Sequence, residues 1–265
     1  MDGSIALRVV IKLSDIDPGS TPHAPGGEKD AAGHVARYSE MLAGLQQRLR
    51  AEASKALLIV LQCMDTGGKD GTIKHVFSAV NPLGIDVTAF KTPSATESAH
   101  DYLWRVHQHT PAKGDVMIFN RSHYESVLVE RVHELVAKDV WSRRYEQINA
   151  FEEMLACEGT TIVKFYFHIS KDEQRRRLLS RLDDPDKNWK FKPDDLAERK
   201  FWDDYMAAYE DAINKTSTKH APWHVVPANH KWYRNFVVSK VLVETLQAMN
   251  PQYPVQDLSK VDRDF

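Results

Sequence analysis

The chain has 265 residues, 35 lysines and arginines against 37 aspartates and glutamates, a formal charge of −2 and 42% hydrophobic residues. That length suits one α/β domain with an appended element better than two independent domains, and the near-neutral charge excludes a global polycation, so a polyanion would have to be met by a local basic patch. Two cysteines, Cys63 and Cys157, make neither a disulfide framework nor a zinc spacing, and without an apolar signal core or a long apolar run a cytoplasmic protein with no membrane partner is expected.

Residues 1–32 are rich in Gly, Pro, Asp and Ser and read as a flexible N-terminal arm. In 36–53, Tyr38, Met41, Leu42, Leu45 and Leu49 recur at helical intervals. The period then changes: ALLIVLQC at 56–63 is an unbroken apolar run, as for a strand buried on both faces of a parallel sheet. Further strands are expected at Ile85–Phe90, Asp115–Asn120, Thr161–Ile169 and His224–Ala228. Helices are expected over 70–80, 95–109, 123–137, 139–157, 171–182, 195–214 and 231–248, with Asn81-Pro82-Leu83-Gly84 stopping the first. This alternation means a parallel sheet covered by helices on both sides. The segment 171–220 interrupts it with Pro185, Pro193 and a dense basic cluster, and reads as a lid inserted into a domain spanning 33–250. Residues 251–265 are left as a C-terminal tail.

Between the first strand and the next helix lies Cys63-Met64-Asp65-Thr66-Gly67-Gly68-Lys69-Asp70-Gly71-Thr72. Glycines let backbone N–H groups turn inward around a phosphate, and the helix N-terminus adds a positive field. Gly67, Gly68, Lys69, Asp70, Gly71 and Thr72 are therefore phosphate-binding candidates, with Lys69 as a mobile point charge on phosphate oxygens. The pattern G-x-x-x-x-G-K-[ST] is not fully met: Cys63 stands at its first glycine and Asp70 at its hydroxyl. Asp65 offers another anchor for a hard cation, which prefers carboxylate oxygen. The plain alternative is a turn with a solvated lysine.

Val116–Phe119 is an apolar run ending in Asn120-Arg121. Ligands in open α/β sheets bind at the carboxyl ends of strands, so Arg121 falls beside the loop if the two strands are neighbours. Arg suits a transferring phosphoryl group, although it could also be a surface residue capping the next helix. In the lid, Arg177 and Arg181 are four apart and share a face, with Leu178 and Leu182 as the adjacent apolar stripe. Lys187 and Lys190 extend the basic surface, while Arg175 and Arg176 point elsewhere. His123 reads as structural, Trp104, Trp189, Trp202 and Trp223 as packing, and Asn229-His230-Lys231 as a candidate contact for a base.

QCMDTGGKDGTIKHVF (62–77), KTPSATESAHDYLWRVHQHTPAKGDVMIFNRSHYESVLVERV (91–132), QRRRLLSRLDDPDKNWKF (174–191) and WHVVPANHKWYRNFVVSKVL (223–242) together resemble the polyphosphate kinase 2 family, over about residues 35–250. The resemblance implies a P-loop NTPase-like three-layer α/β fold with a helical lid. It implies reversible phosphoryl transfer between inorganic polyphosphate and nucleoside phosphates with Mg²⁺; Mn²⁺ is an alternative ion. Asp65, Lys69, Arg121, Arg177 and Arg181 are then the catalytic candidates, Lys187, Lys190 and Arg131 the polyphosphate-binding ones, and Asp65 and Asn120 the metal ligands. For Arg131, a structural ion pair is the rival reading. Many members carry Asp where this chain has Asn120; that form resembles the subgroup accepting both AMP and ADP, and an Asn still offers a carbonyl oxygen. Adenine nucleotides, with guanine nucleotides second, and a homo-oligomer are expected, with no nucleic-acid partner. An ATP-dependent nucleoside monophosphate kinase shares the same fold and lid. A non-catalytic polyanion-binding module is the third reading, and the absence of a groove-reading motif weighs against it.

Overall fold

In the computed structural model, which describes residues 10–191 and 193–257, the apolar run Ala56–Cys63 is a strand (β1) buried along its whole length. Four strands follow: Ile85–Ala89 (β2), Val116–Asn120 (β3), Thr160–His168 (β4) and Trp223–Pro227 (β5). All neighbours pair in parallel, in the order β2-β3-β1-β4-β5. Ile59 sits opposite Ile118 of β3 on one side and Val163 of β4 on the other. The chain therefore leaves β1 to one side, then crosses over for β4 and β5. The carboxyl ends of β1 and β3 meet beside that crossing, where open sheets place their ligands.

The helices are Glu28–Glu52 (α1), Lys69–Val76 (α2), Ala95–Ser98 (α3), Trp104–His107 (α4), Val129–Val132 (α5), Lys138–Trp141 (α6), Arg144–Cys157 (α7), Lys171–Leu182 (α8), Pro193–Glu198 (α9), Trp202–Thr216 (α10) and Lys231–Met249 (α11). On one face α1 lies along α11, burying Leu42, Leu45 and Leu49 with Leu242 and Leu246. The other face is covered by α7 and α10, through Ile148, Phe151, Ala212 and Ile213. Three layers result, and α8 and α9 lead from β4 to α10. Among the described residues no helix is long and apolar enough to cross a membrane.

Four expected helices are broken, among them 139–157, which a turn at 142–143 divides into α6 and α7. The stretch 95–109 splits because the Asp101 carboxylate takes the N–H groups of Leu103 and Trp104, restarting the helix at α4. The stretch 123–137 becomes a 3₁₀ turn, His123–Val127, and one turn of α5. Residues 195–214 become α9, a 3₁₀ turn at Arg199–Phe201, and α10. At the other end α1 begins at Glu28 rather than 36, with Glu28 and Asp30 suiting the helix dipole.

Residues 10–27, expected as part of the flexible arm, are irregular but docked. Ile11 exchanges two hydrogen bonds with the Asn214 side chain, both 2.8 Å. Leu13 is buried, and its N–H donates to Glu210. Asn229 N–H donates to Pro18 O at 3.0 Å. Gly- and Pro-rich composition foretells the lack of regular structure but not these long-range bonds. Residues 1–9 of the expected arm and 258–265 of the expected tail lie outside the described residues.

Candidate active site

β1 turns through Met64–Gly68 into α2 by way of two left-handed residues, Thr66 (φ 63°) and Gly68 (φ 104°). Gly68 is required on two counts: its φ disfavours a side chain, and a Cβ there would collide with the Arg234 guanidinium. No side chain caps α2, so its first N–H groups remain open to an anion. Lys69 Nζ rests 3.1 Å from the Cys63 thiol, which fills the place of the missing first glycine.

Thr66, Gly67, Gly68, Lys69, Asp70 and Gly71 all border one cleft. Thr72, expected with them, does not: it is buried, and both its hydroxyl (3.1 Å) and its N–H (3.0 Å) donate to Gly68 O. Its donors hold the loop together and leave none for a ligand.

β3 delivers Asn120 and Arg121 beside the loop, as the pairing of β1 with β3 requires. Asn120 Nδ2 donates to Asp70 Oδ1 at 2.8 Å, and Arg121 Nη2 donates to Asp65 Oδ1 at 2.7 Å. Glu125 Oε2 lies 4.0 Å from Arg121 Nη1. Arg121 sits at φ 64°, a conformation costing on the order of 1 kcal/mol, and its N–H is pinned to Leu61 O at 3.1 Å. Burial works against the Arg121 charge, but Glu125 and Asp65 outweigh it and raise the guanidinium above its ordinary value. Burial pushes the Glu125 carboxyl above the usual carboxylate range, against the pull of Arg121 and Lys69. Sequence reasoning gave Glu125 no role. Its spacing four residues after Arg121 was the available signal.

The lid arginines divide. Arg177 does not present its guanidinium to the cleft as a free cation. Its side chain is 7% exposed, and its five N–H donors are committed: Nε to Glu173 (2.6 Å), Nη1 to Thr66 O (3.0 Å) and Gly67 O (3.1 Å), Nη2 to Ala228 O (2.6 Å) and Asn229 O (3.1 Å). Buried loop carbonyls need donors, and Arg177 supplies them. The expected leucine stripe is correspondingly split, with Leu178 buried and Leu182 exposed. Arg181 borders the cleft, half-buried, 3.7 Å from Asp195 Oδ2. Lys187, paired with Asp184, and Lys190, over the Trp189 ring, border it too. Arg131 does not. It donates to Asp211 Oδ2 (2.7 Å) and Tyr145 OH (3.0 Å), stacked over Trp141, which is the structural pair that rivalled the polyphosphate reading.

Sequence reasoning missed Arg234. It is 2% exposed, donates from Nη1 to Gly67 O (3.3 Å) and from Nη2 to Asn235 Oδ1 (2.9 Å), and burial beside Arg177 pushes its pKa down to about 10. Its place depends on the first turn of α11 landing behind the phosphate loop, which no local pattern reveals. Lys231 and Arg176, the latter expected to point away, also border the cleft. Trp202 and Trp223 are buried as expected, whereas Trp104 and Trp189 are exposed. His123 is buried against Glu152.

The cleft measures about 1200 Å³ and is bordered by ten lysines and arginines against three carboxylates, Glu28, Asp65 and Asp70. A chain of net charge −2 thus gathers strong local positive charge. Asp65, Asp70 and the Asn120 carbonyl supply hard oxygen donors on one wall, the kind of set that holds Mg²⁺ through one or two carboxylates, substrate oxygens and water. Among the described residues no three His, Cys, Asp or Glu side chains cluster as an all-protein metal cage.

The sequence profile of the family described as Polyphosphate kinase 2 matches residues 27–254. The chain is 55% identical, over 92% of its length and 91% of the relative's, to an AMP/ADP-polyphosphate phosphotransferase of Meiothermus ruber. It is 47% identical, over 81% of its length and 78% of the relative's, to an ADP-polyphosphate phosphotransferase of Rhodopseudomonas palustris. The crystal structure of polyphosphate kinase 2 from Arthrobacter aurescens TC1 superposes with a TM-score of 0.91 at 48% identity, covering 93% of this chain and 89% of that one.

Proposed function

The chain belongs to the polyphosphate kinase 2 family, and from that membership we propose that it moves phosphoryl groups between inorganic polyphosphate and AMP or ADP, in the cleft bordered by Gly67–Lys69. The observation that carries this reading is the concentration of ten cationic side chains around a glycine loop in a cleft of about 1200 Å³. One nucleotide leaves much of that space and charge unused. A second polyanion, repelled by the first in water, is accommodated by the remaining cations.

Within the cleft, Lys69 and the open N–H groups of α2 hold the transferring phosphoryl group. Arg121, aimed by Asp65 and Glu125, spreads the charge that builds on it. Arg181, Lys187 and Lys190 grip the chain of phosphates. Arg177 and Arg234 act through the loop, holding its carbonyls so that its N–H groups face the substrate. The acceptor is a phosphate oxygen already ionised, so positioning and charge neutralisation suffice without a strong base. Asp65, Asp70 and Asn120 would hold Mg²⁺, which when bound neutralises phosphate oxygens. Asn120 in IFNRSHYE, with the AMP/ADP name of the Meiothermus ruber relative, favours AMP as an acceptor beside ADP.

The test supplies polyphosphate and Mg²⁺ with AMP or ADP in separate reactions, free of ATP and of adenylate kinase. ADP from the first and ATP from the second are expected. Transfer to AMP in a parallel reaction with ATP in place of polyphosphate, but never from polyphosphate, would make the enzyme an ATP-dependent nucleoside monophosphate kinase instead.

A further inference from the structure

Lys164 sits in the middle of β4, a strand whose other residues from Ile162 to His168 are all buried aromatic, aliphatic or histidine side chains. Its side chain and that of Glu152 on α7 are both 0% exposed. Lys164 Nζ donates to Glu152 Oε2 (2.6 Å), Tyr124 OH (2.8 Å) and Thr216 O (2.8 Å). Glu152 Oε1 accepts from Tyr124 OH (2.9 Å) and lies 3.1 Å from His123 Nε2. Thr216 Oγ1 accepts from Trp223 Nε1 at 2.9 Å. Burial pushes Glu152 up, but Lys164 and His123 overcome it and hold the carboxyl below its ordinary value, while burial lowers Lys164 against the pull of Glu152.

A buried ion pair is a poor device for stability, because well-packed apolar residues of similar volume hold a core as well or better. What the pair joins is more telling. His123 and Tyr124 lie two and three residues beyond Arg121, whose φ of 64° needs support from its surroundings. Thr216 is the last residue of α10, the helix by which the lid returns to the sheet. Tyr209, also on α10, lies close enough to Arg121 and Glu125 to feel their charges. We propose that the Lys164–Glu152 pair, with Tyr124, is a positioning unit that locks the Arg121 turn to the end of α10 and so keeps Arg121 and the lid in one register. Its catalytic consequence rests on the function proposed above.

The test replaces the pair by Lys164→Met with Glu152→Leu and compares melting, steady-state kinetics and amide hydrogen exchange with wild type. Melting at or above the wild-type temperature is expected. The value of kcat should fall about tenfold or more, KM for ADP and polyphosphate staying within about twofold, because misaiming Arg121 costs the transition state alone. Exchange should quicken over 120–128 and 210–217. A merely structural role would lower the melting temperature and leave kcat per folded molecule unchanged. A folded double variant with wild-type kcat and exchange overturns the proposal. Should the double variant fail to fold, Tyr124→Phe removes one hydroxyl and keeps the ring: lower kcat with faster exchange supports the proposal, and wild-type values of both overturn it. If the wild-type protein transfers nothing from polyphosphate, the function reading falls, and the exchange measurement still decides this inference.

Discussion

Replacing Arg177 by alanine separates a loop brace from a substrate clamp. The side chain is 7% exposed and Glu173, its ion-pair partner, 10%. Alanine removes five donors and strands the carbonyls of Thr66, Ala228 and Asn229, while Gly67 O keeps the Arg234 guanidinium. Breaking a buried pair by removing one partner costs about 3–5 kcal/mol. Glu173 keeps Arg176 as a second partner at 2.6 Å, which puts the expectation at the lower end. For a chain of this size about 3 kcal/mol lowers the melting temperature by roughly 6–12 °C. Arg181→Ala, which removes a partly exposed contact 3.7 Å from Asp195 and a long exposed bond to Lys190 O at 3.5 Å, should leave melting within about 2 °C, consistent with the small worth of surface pairs. Its defect should appear in KM for polyphosphate and shrink as salt rises, because screening weakens the same contact in the wild type. The assay is a thermal melt of both variants beside polyphosphate titrations at several ionic strengths. An Arg177→Ala protein that melts with wild type and loses only polyphosphate affinity would refute the brace and restore the clamp.

Lys69→Ala should lower kcat by a factor of about 10² or more while leaving melting unchanged, since its recorded partner is the Cys63 thiol; near-normal turnover would remove Lys69 from the site. Asp65→Asn should raise the Mg²⁺ concentration at half-maximal rate, and an unmoved midpoint would take Asp65 away from the metal. Gly68→Ala should abolish transfer and lower the melting temperature through its positive φ and its collision with Arg234, so wild-type activity would contradict the loop geometry. Burial lowers the pKa of His168 from its ordinary 6.5. The unfolded chain therefore takes up a proton first on acidification, and stability is lost as pH falls from 6.5 toward the folded value. His168→Gln should flatten that part of the melting-temperature profile, and an unchanged slope would show that His168 does not set it.

The sheet was legible because a doubly buried parallel strand writes itself as an unbroken apolar run: β1 matches ALLIVLQC residue for residue. The loop and Arg121 were legible because strand order brings both carboxyl ends together. Lid polarity was not. Helical spacing groups Arg177 with Arg181 but cannot say that the face beneath Arg177 is main-chain carbonyl, where a guanidinium packs better than leucine. Arg131 misled for the same reason, since its partner Asp211 lies 80 residues away. Arg234 and the docked segment 10–27 stayed hidden because their partners are distant in sequence. The short breaks at Asp101 and Glu134 were also missed, the second lying at φ 52°, because side-chain capping and left-handed residues override a periodic pattern.

The central claim is that phosphate passes from polyphosphate to a nucleotide at Lys69. Phosphorus NMR of one sample holding polyphosphate, ADP, Mg²⁺ and the enzyme follows donor and product together. The account predicts that the interior-phosphate signal of polyphosphate falls in step with growth of the ATP γ-phosphate signal while the end-group signal holds, and that Lys69→Ala shows neither the fall nor the growth. An ATP signal that grows equally with Lys69→Ala, or polyphosphate that shortens while releasing only free phosphate, would contradict it.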